Sequence, residues 1–229
     1  MARVLILREE ADARRTAADV RARGHEALIL PLQCVRPLDP PAGSEPLSGL
    51  IVTSAHAAAW AAGRASGSSF PILAVGARTA AALRAHGARN VVTGPGRASD
   101  LVALAADMIE GEQPFLYAAG RVRLPDLEEG LAAAGLPFRV AEIYDMVDRA
   151  ITAEDVAAVL RDGAPDSVLL LSRRQAELFA DLRARHGHAF PETLRCLCLS
   201  AGIAACLPAG EHAEWPDEPV LARLLDRLG

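Results

Sequence analysis

Short apolar runs that stop on a small polar residue and pass directly into an alanine- or arginine-rich run recur along the whole chain. Leu50 to Trp60 reads LIVTSAHAAAW, and Val168 to Phe179 reads VLLLSRRQAELF. Each apolar run is too short for a helix and suits a strand buried on both faces, while the run after it has the composition of a helix. On this reading strands near 4–7, 27–30, 50–53, 72–75, 91–92, 115–118, 138–144, 167–171 and 195–199 alternate with helices. The helices fall near 10–23, 55–63, 79–86, 99–110, 124–134, 153–161, 173–184, 201–207 and 218–228. Gly24, Gly87 and Gly135 stand where left-handed C-caps belong, and Ser99 and Thr152 where N-caps belong. Strands separated by helices pair in parallel, with helices on both faces and right-handed crossovers, so the expected class is α/β. Residues 36–48, RPLDPPAGSEPLS, fit neither period and read as a linker.

The two halves of the chain resemble each other. VLILR with a later GHEALILPL matches FLYAAG with a later GLPFRVAEIY, VTSAHAA matches LLSRRQA, and LAVGARTAAAL matches LCLSAGIAACL. The matches keep their order at offsets of about 111, about 118 and about 124 residues. This is the expected trace of a duplicated flavodoxin-like unit.

Composition narrows the function. With 229 residues, 51% of them apolar, the chain can bury one large core or two smaller ones. A net charge of −5 argues against a general nucleic-acid binder. No apolar run approaches the roughly 18–20 residues of a membrane span. The start, MARVLILREEADARR, lacks a secretory pattern, so a cytoplasmic protein is expected. All 24 basic residues are arginine, which excludes a Schiff-base lysine and a P-loop lysine. Anion sites must use arginine, hydroxyls or backbone N–H groups. Cys196 and Cys198 share a face if RCLCLS is a strand, and read as buried thiols rather than zinc ligands. The histidines are scattered, and no metal site and no cofactor are expected. No GxGxxG follows the first strand, and neither GxxxxGK[ST] nor GxSxG occurs.

Ligands of open parallel sheets bind beyond the carboxyl ends of the strands. The polar residues there are Arg8, Thr53, Ser54, Gly76, Arg78, Thr79, Gly120 to Arg123, Tyr144, Ser172 and Arg173. A helix start offers unpaired N–H groups and a positive dipole end, so these seams suit carboxylate or phosphate. Ser54, Thr79 and Ser172 equally suit helix capping, and the residues alone leave both readings open. Tyr144 ends the strand in VAEIYDMV, where a phenol either donates to a leaving oxygen or plugs the sheet edge. Tyr117 lies mid-strand and reads as core.

The ordered set VLILRE, ALILPL, VTSAHAA, AVGARTAAAL, GRVRLPDLEEGL, AEIYDMV and LLLSRRQA resembles the uroporphyrinogen-III synthase family over nearly the whole chain. The resemblance implies two flavodoxin-like domains joined by a two-stranded antiparallel linker. Residues 1–34 would join 148–229, residues 38–145 would form the other domain, and 35–37 and 146–147 would be the crossings, within strands near Leu32 to Leu38 and Glu142 to Arg149. It implies a small-molecule substrate, the linear tetrapyrrole hydroxymethylbilane with its eight carboxylates. The enzyme, a cyclising lyase, would remove the hydroxyl, invert the last pyrrole ring and close the macrocycle through an azafulvene cation and a spiro intermediate, without cofactor. Tyr144 would assist loss of the hydroxyl. Arg8, Thr53, Ser54, Gly76, Arg78, Thr79, Arg123, Ser172, Arg173 and Ser200 would bind carboxylates in a cleft between the domains. A monomer is expected, in transient contact with the preceding enzyme of the pathway, without nucleic acid or membrane.

The sequence departs from the family at the second glycine-threonine motif, where LSAGIAACL carries Ser200 and Ile203 in place of glycine and threonine. That puts an anion contact from a hydroxyl at position 203 in question. Two other classes fit an α/β chain of this kind: a non-catalytic two-domain binder or sensor of a small anionic metabolite, and a nucleotide-sugar transferase. The chain is short for the latter and lacks an acid placed for a ribose.

Overall fold

The computed structural model describes residues 1–40, 43, 45–109 and 111–228. In chain order the elements of the first half are β1 (Arg3–Ile6), α1 (Glu10–Ala22), β2 (Glu26–Ile29), β3 (Gln33–Pro37), β4 (Gly49–Val52), α2 (Ala58–Arg64), β5 (Ile72–Ala74), α3 (Ala77–Ala85), β6 (Val91–Thr93) and α4 (Leu101–Met108). They continue with β7 (Phe115–Gly120), α5 (Asp126–Ala133), β8 (Phe138–Asp148), α6 (Ala153–Val159), β9 (Ser167–Leu170), α7 (Arg173–His186), β10 (Arg195–Cys198), α8 (Ala201–Ala204), β11 (His212–Glu214) and α9 (Leu221–Leu225). A 3-10 turn at Ala55–Ala57 leads into α2. The chain divides into two compact units, Met1–Cys34 with Val147–Gly229, and Val35–Met146.

The first unit is built on a sheet in the order β11-β10-β9-β1-β2, and every paired neighbour is parallel. Its strands are buried on both faces because side chains alternate between two cores. Leu5, Val168, Leu170, Cys196 and Cys198 meet Val156 of α6 and Ala176, Phe179 and Leu182 of α7. Val4, Ile6, Leu169 and Leu197 meet Ala13, Ala17 and Val20 of α1 and Leu224 and Leu225 of α9. Cys196 and Cys198 do share a face, and burial pushes each thiol up to about 12, the mark of inert core sulfur.

The second unit orders its strands β3-β8-β7-β4-β5-β6, with β8, β7, β4, β5 and β6 parallel. Leu50, Val52, Ile72, Ala74 and Ala118 pack against α2 and α3 through Ala58, Ala61, Ala80 and Leu83. Ile51, Leu73, Phe115 and Tyr117 pack against α4 and α5 through Leu101, Ala105, Leu127 and Leu131. On the far side of β8, the Leu38 N–H donates to the Ile143 carbonyl at 2.9 Å and the Arg149 N–H to the Leu32 carbonyl at 2.9 Å. As one number rises the other falls, so β3 runs antiparallel to β8.

Several expectations need correction. Ser99 does not cap the helix near 99–110. The Asp100 N–H donates to the Arg97 carbonyl and that of Leu101 to Ala98, so the chain winds in through successive turns and starts α4 at Leu101; residue 110 lies outside the described residues. The segment 36–48, of which 41, 42 and 44 lie outside the described residues, opens within β3 rather than as a loop. β11 was not anticipated, because HAE carries no apolar run. By contrast Thr152 caps α6 in a full capping box with Asp155, and Gly24, Gly87 and Gly135 all have positive φ. No described helix is long and apolar enough to cross a membrane.

At Gly49 the backbone of the second sheet leaves no room for a side chain. A Cβ there would lie 2.7 Å from the Pro71 carbonyl oxygen and 2.9 Å from the Phe115 ring. The carbonyl already accepts from the Leu50 N–H at 3.0 Å and cannot retreat without breaking the ladder. Gly49→Ala should therefore destabilise the protein by about 1–3 kcal/mol, the usual cost of overpacking. The unfolding midpoint in urea at constant m-value checks this.

Candidate functional site

In an open parallel sheet a crevice forms where the strand order reverses, because the connections there leave for opposite faces. In the first unit the order reverses between β1 and β9: α1 covers one face and α7 the other. In the second it reverses between β4 and β7, whose following helices α2 and α5 again lie on opposite faces. The residues just past these strands are Arg8 and Ser172 in the first unit, and Thr53 to His56 and Gly120 to Leu124 in the second.

Two predicted arginines are engaged elsewhere. In the first unit Arg8 reaches back onto α1, donating to Asp12 Oδ2 at 2.5 Å and to Thr16 Oγ1 at 3.2 Å. Glu9 caps the same helix, accepting from the N–H groups of Ala11 and Asp12. In the second unit Arg123 is held by Glu128 at 2.6 Å, Glu142 at 3.0 Å and the Gly120 carbonyl at 3.1 Å. Those carboxylates raise its pKa, that of Glu128 most, and Arg123 with Arg121 holds Glu142 below its ordinary value. Arg121, which the sequence reading did not single out, joins Glu142 and Asp145, and Arg36 also reaches Asp145. Arg8 and Arg123 thus brace strand ends, each against carboxylates of its own unit.

The other helix starts differ. Ser172 caps α7, its hydroxyl accepting from the Gln175 N–H at 3.2 Å. Arg173 meets no carboxylate among the described residues; its Nε donates to the Gly202 carbonyl at 3.3 Å, beside the start of α8. Ser200 precedes α8 without capping it. In the second unit Ser54 accepts from the His56 N–H at 3.3 Å. Gly76 precedes α3 without a side chain to cap it, and exposed Arg78 lies in its first turn. None of these starts has an acid in its first turn, whereas α1 and α5 do. The starts that follow β4 and β5 in one unit, and β9 and β10 in the other, thus carry no acid of their own against the positive end of the helix.

Thr79 and Ile203 occupy corresponding places in their helices and are only 4% and 7% exposed. Thr79 is thus nearly covered as a residue, and Ile203 packs into the core of the first unit. Thr53 turns to the α5 face and shares a 2.9 Å hydrogen bond with the Tyr117 hydroxyl. Tyr117 is core, as expected, and burial raises its pKa.

Tyr144 owes its direction to an irregularity in the ladder. Ala119 pairs with Glu142, but Gly120 pairs with Tyr144, so β8 carries an extra residue there. The bulge breaks the alternation and turns Tyr144 away from the Glu142 face onto that of Ile143, Ala118 and α2. There its ring lies on Gly120 and meets the edge of His56, with centroids 5.5 Å apart and planes at 62°. In the facing loop Arg121 and Arg123 turn back to carboxylates and leave Val122 and Leu124 outward, 77% and 75% exposed. His56 and this apolar pair escaped the sequence reading, which named Gly120 only as the start of the Gly120 to Arg123 rim. Only the alternation in GRVRLP hinted at the pair.

The family described as uroporphyrinogen-III synthase HemD matches residues 14–214. None of the curated proteins matches the chain. Among solved structures, the uroporphyrinogen-III synthetase of Helicobacter pylori 26695 aligns with a TM-score of 0.64 at 17% identity, covering 99% of this chain and 98% of that one. A mutant uroporphyrinogen III synthase from the extremely thermophilic bacterium Thermus thermophilus aligns with a TM-score of 0.52 at 16% identity, covering 99% and 97%. At such identities the likeness is one of fold.

The two serines of the first unit should separate in a stability measurement. Ser172→Ala removes a cap from a 14-residue helix and is expected to cost about 1 kcal/mol. Ser200→Ala removes no cap bond and should stay within about 0.5 kcal/mol of the parent, as surface changes do. Denaturant titration of both variants checks the difference.

Proposed function

Because the chain belongs to the uroporphyrinogen-III synthase family, cyclising lyases of tetrapyrrole biosynthesis, we propose that it converts hydroxymethylbilane into uroporphyrinogen III. Water is lost, the last ring is inverted and the macrocycle closes. The observation that carries the site assignment is Tyr144, turned by the bulge onto the α2 face at the carboxyl edge of the sheet, beside the switch point. Its phenol donates a hydrogen bond to the departing hydroxyl, which leaves as water once protonated. The cation left behind is captured by the far end of the chain, and the outcome depends on which ring carbon is held close enough to react. Orientation is thus the enzyme's main contribution.

The carboxylates of the substrate fall to the acid-free helix starts. In the first unit these are Ser172, Arg173 and Ser200; in the second, Ser54 and the start of α3 with Gly76 and Arg78. Arg8 and Arg123 act as braces rather than ligands. The exposed Val122 and Leu124 suit the apolar faces of pyrrole rings. We also read the chain as a duplicated flavodoxin-like unit whose copies have exchanged strands, with β3 and β8 as the antiparallel connection. The matching strand orders, with β7, β8, β4, β5 and β6 standing for β1, β2, β9, β10 and β11, support this.

Fresh hydroxymethylbilane should give the type III isomer in excess when incubated with the protein and resolved by chromatography. Spontaneous closure gives type I, so type I alone would remove the assignment. Arg173→Ala should raise KM about tenfold, equivalent to about 1.4 kcal/mol, with an unchanged thermal midpoint. Arg123→Ala should instead lower the midpoint, with a smaller effect on KM. The same kinetics and a melting curve on each variant distinguish ligand from brace.

A further inference from the structure

Tyr144 is one aromatic ring within β8, opposite the last residue of β7, and several features converge on its conformation. The bulge decides which face it occupies. Gly120 decides how close it lies to the sheet, since a Cβ at that position would stand 2.6 Å from Tyr144 Cζ, 2.7 Å from its hydroxyl oxygen and 2.8 Å from Cε2. The phenol end therefore rests on bare glycine backbone. His56 supplies a wall, its ring meeting Tyr144 edge-on at 5.5 Å. His56 is fixed in turn, because its N–H donates to Ser54 Oγ at the start of the 3-10 turn. The Ser54 cap thus reaches the tyrosine through the imidazole.

We propose that Gly120 and His56 are positioning residues that form a slot for the Tyr144 phenol, and that Ser54 acts through His56. This rests on the reading of Tyr144 given above. A phenol that must meet a departing hydroxyl gains from a single ring orientation, because a displacement of about 1 Å can cost a hundredfold in rate. Against Tyr144 the ring of His56 acts as a surface, so phenylalanine preserves this one contact. At Gly120 the atoms that obstruct a methyl group belong to the free end of a side chain. Gly120→Ala therefore displaces the phenol and leaves the strand intact.

Steady-state kinetics with hydroxymethylbilane, the ratio of type III to type I product and the thermal midpoint test this on five variants. His56→Ala and Gly120→Ala should each lower kcat about tenfold with KM within about twofold, and shift product toward type I. His56→Phe should recover kcat to within about threefold of the parent. In a Tyr144→Phe background, His56→Ala should change kcat by less than about twofold, since the pathway through the phenol oxygen is already gone. An unchanged kcat in His56→Ala, equal losses in His56→Ala and His56→Phe, or an undiminished loss in the Tyr144→Phe background would each overturn the proposal. If the parent protein makes no type III isomer, the underlying functional reading fails instead, before any variant is compared.

Discussion

Parallel pairing of β4 with β7, and of β1 with β9, is the constraint on which the remaining structure depends. Both pairs join segments far apart in the chain, as the registers Val52 to Ala118 and Ile6 to Leu169 show, and both are paid for in loop-closure entropy. In return each pair buries two runs of aliphatic side chains on both faces. Each also creates the reversal of strand order beyond which helices diverge. The polar residues at those ends gain their importance from this pairing. Were β4 not beside β7, Thr53 and Ser54 would not adjoin Gly120, and Tyr144 would have no part in their surroundings.

Electrostatics sorts the polar residues further. A chain whose basic residues are all arginine has donors in abundance, yet most of those near the strand ends are already committed. Arg123, Arg121 and Arg36 answer Glu128, Glu142 and Asp145, and Arg8 answers Asp12. Arg174 is likewise held by Asp148, whose pKa it lowers. These pairs lie partly in solvent, so their worth is in geometry more than in stability. They fix the loops, and Arg173, which meets no carboxylate among the described residues, stands out against them.

Much of this architecture was legible. Buried strands declare themselves by continuous apolar runs, and helices by caps such as Thr152 and stops such as Gly135. The positions of Ser54, Ser172, Gly76 and Ser200 at helix starts followed from the same signals. Direction was legible for Cys196, Cys198 and Tyr117 but less so for the polar residues at the rim. Thr79 looked like a hydroxyl on a rim but is buried, and Ile203 looked like a lost contact but belongs to the core. Arg123 looked like an anion ligand, yet its partners Glu128 and Glu142 come from a helix and a strand that only folding brings to it. The bulge at Tyr144 leaves no local signature, because it is a mismatch between two strands rather than a property of one.

The sequence by itself determined the α/β class, most of the alternation of strands and helices, and the absence of lysine chemistry. These depend on periodicity and composition, which are local. The tertiary structure alone decided which strand lies beside which, that β1 is completed by β9 and β4 by β7, and hence which polar ends share a crevice. Strand pairing is made by backbone N–H and C=O groups that nearly every residue carries, so similar apolar strands can take different partners without altering the local pattern. The same holds for the phenol of Tyr144, whose orientation comes from a glycine on one neighbouring strand and a histidine in the turn after another.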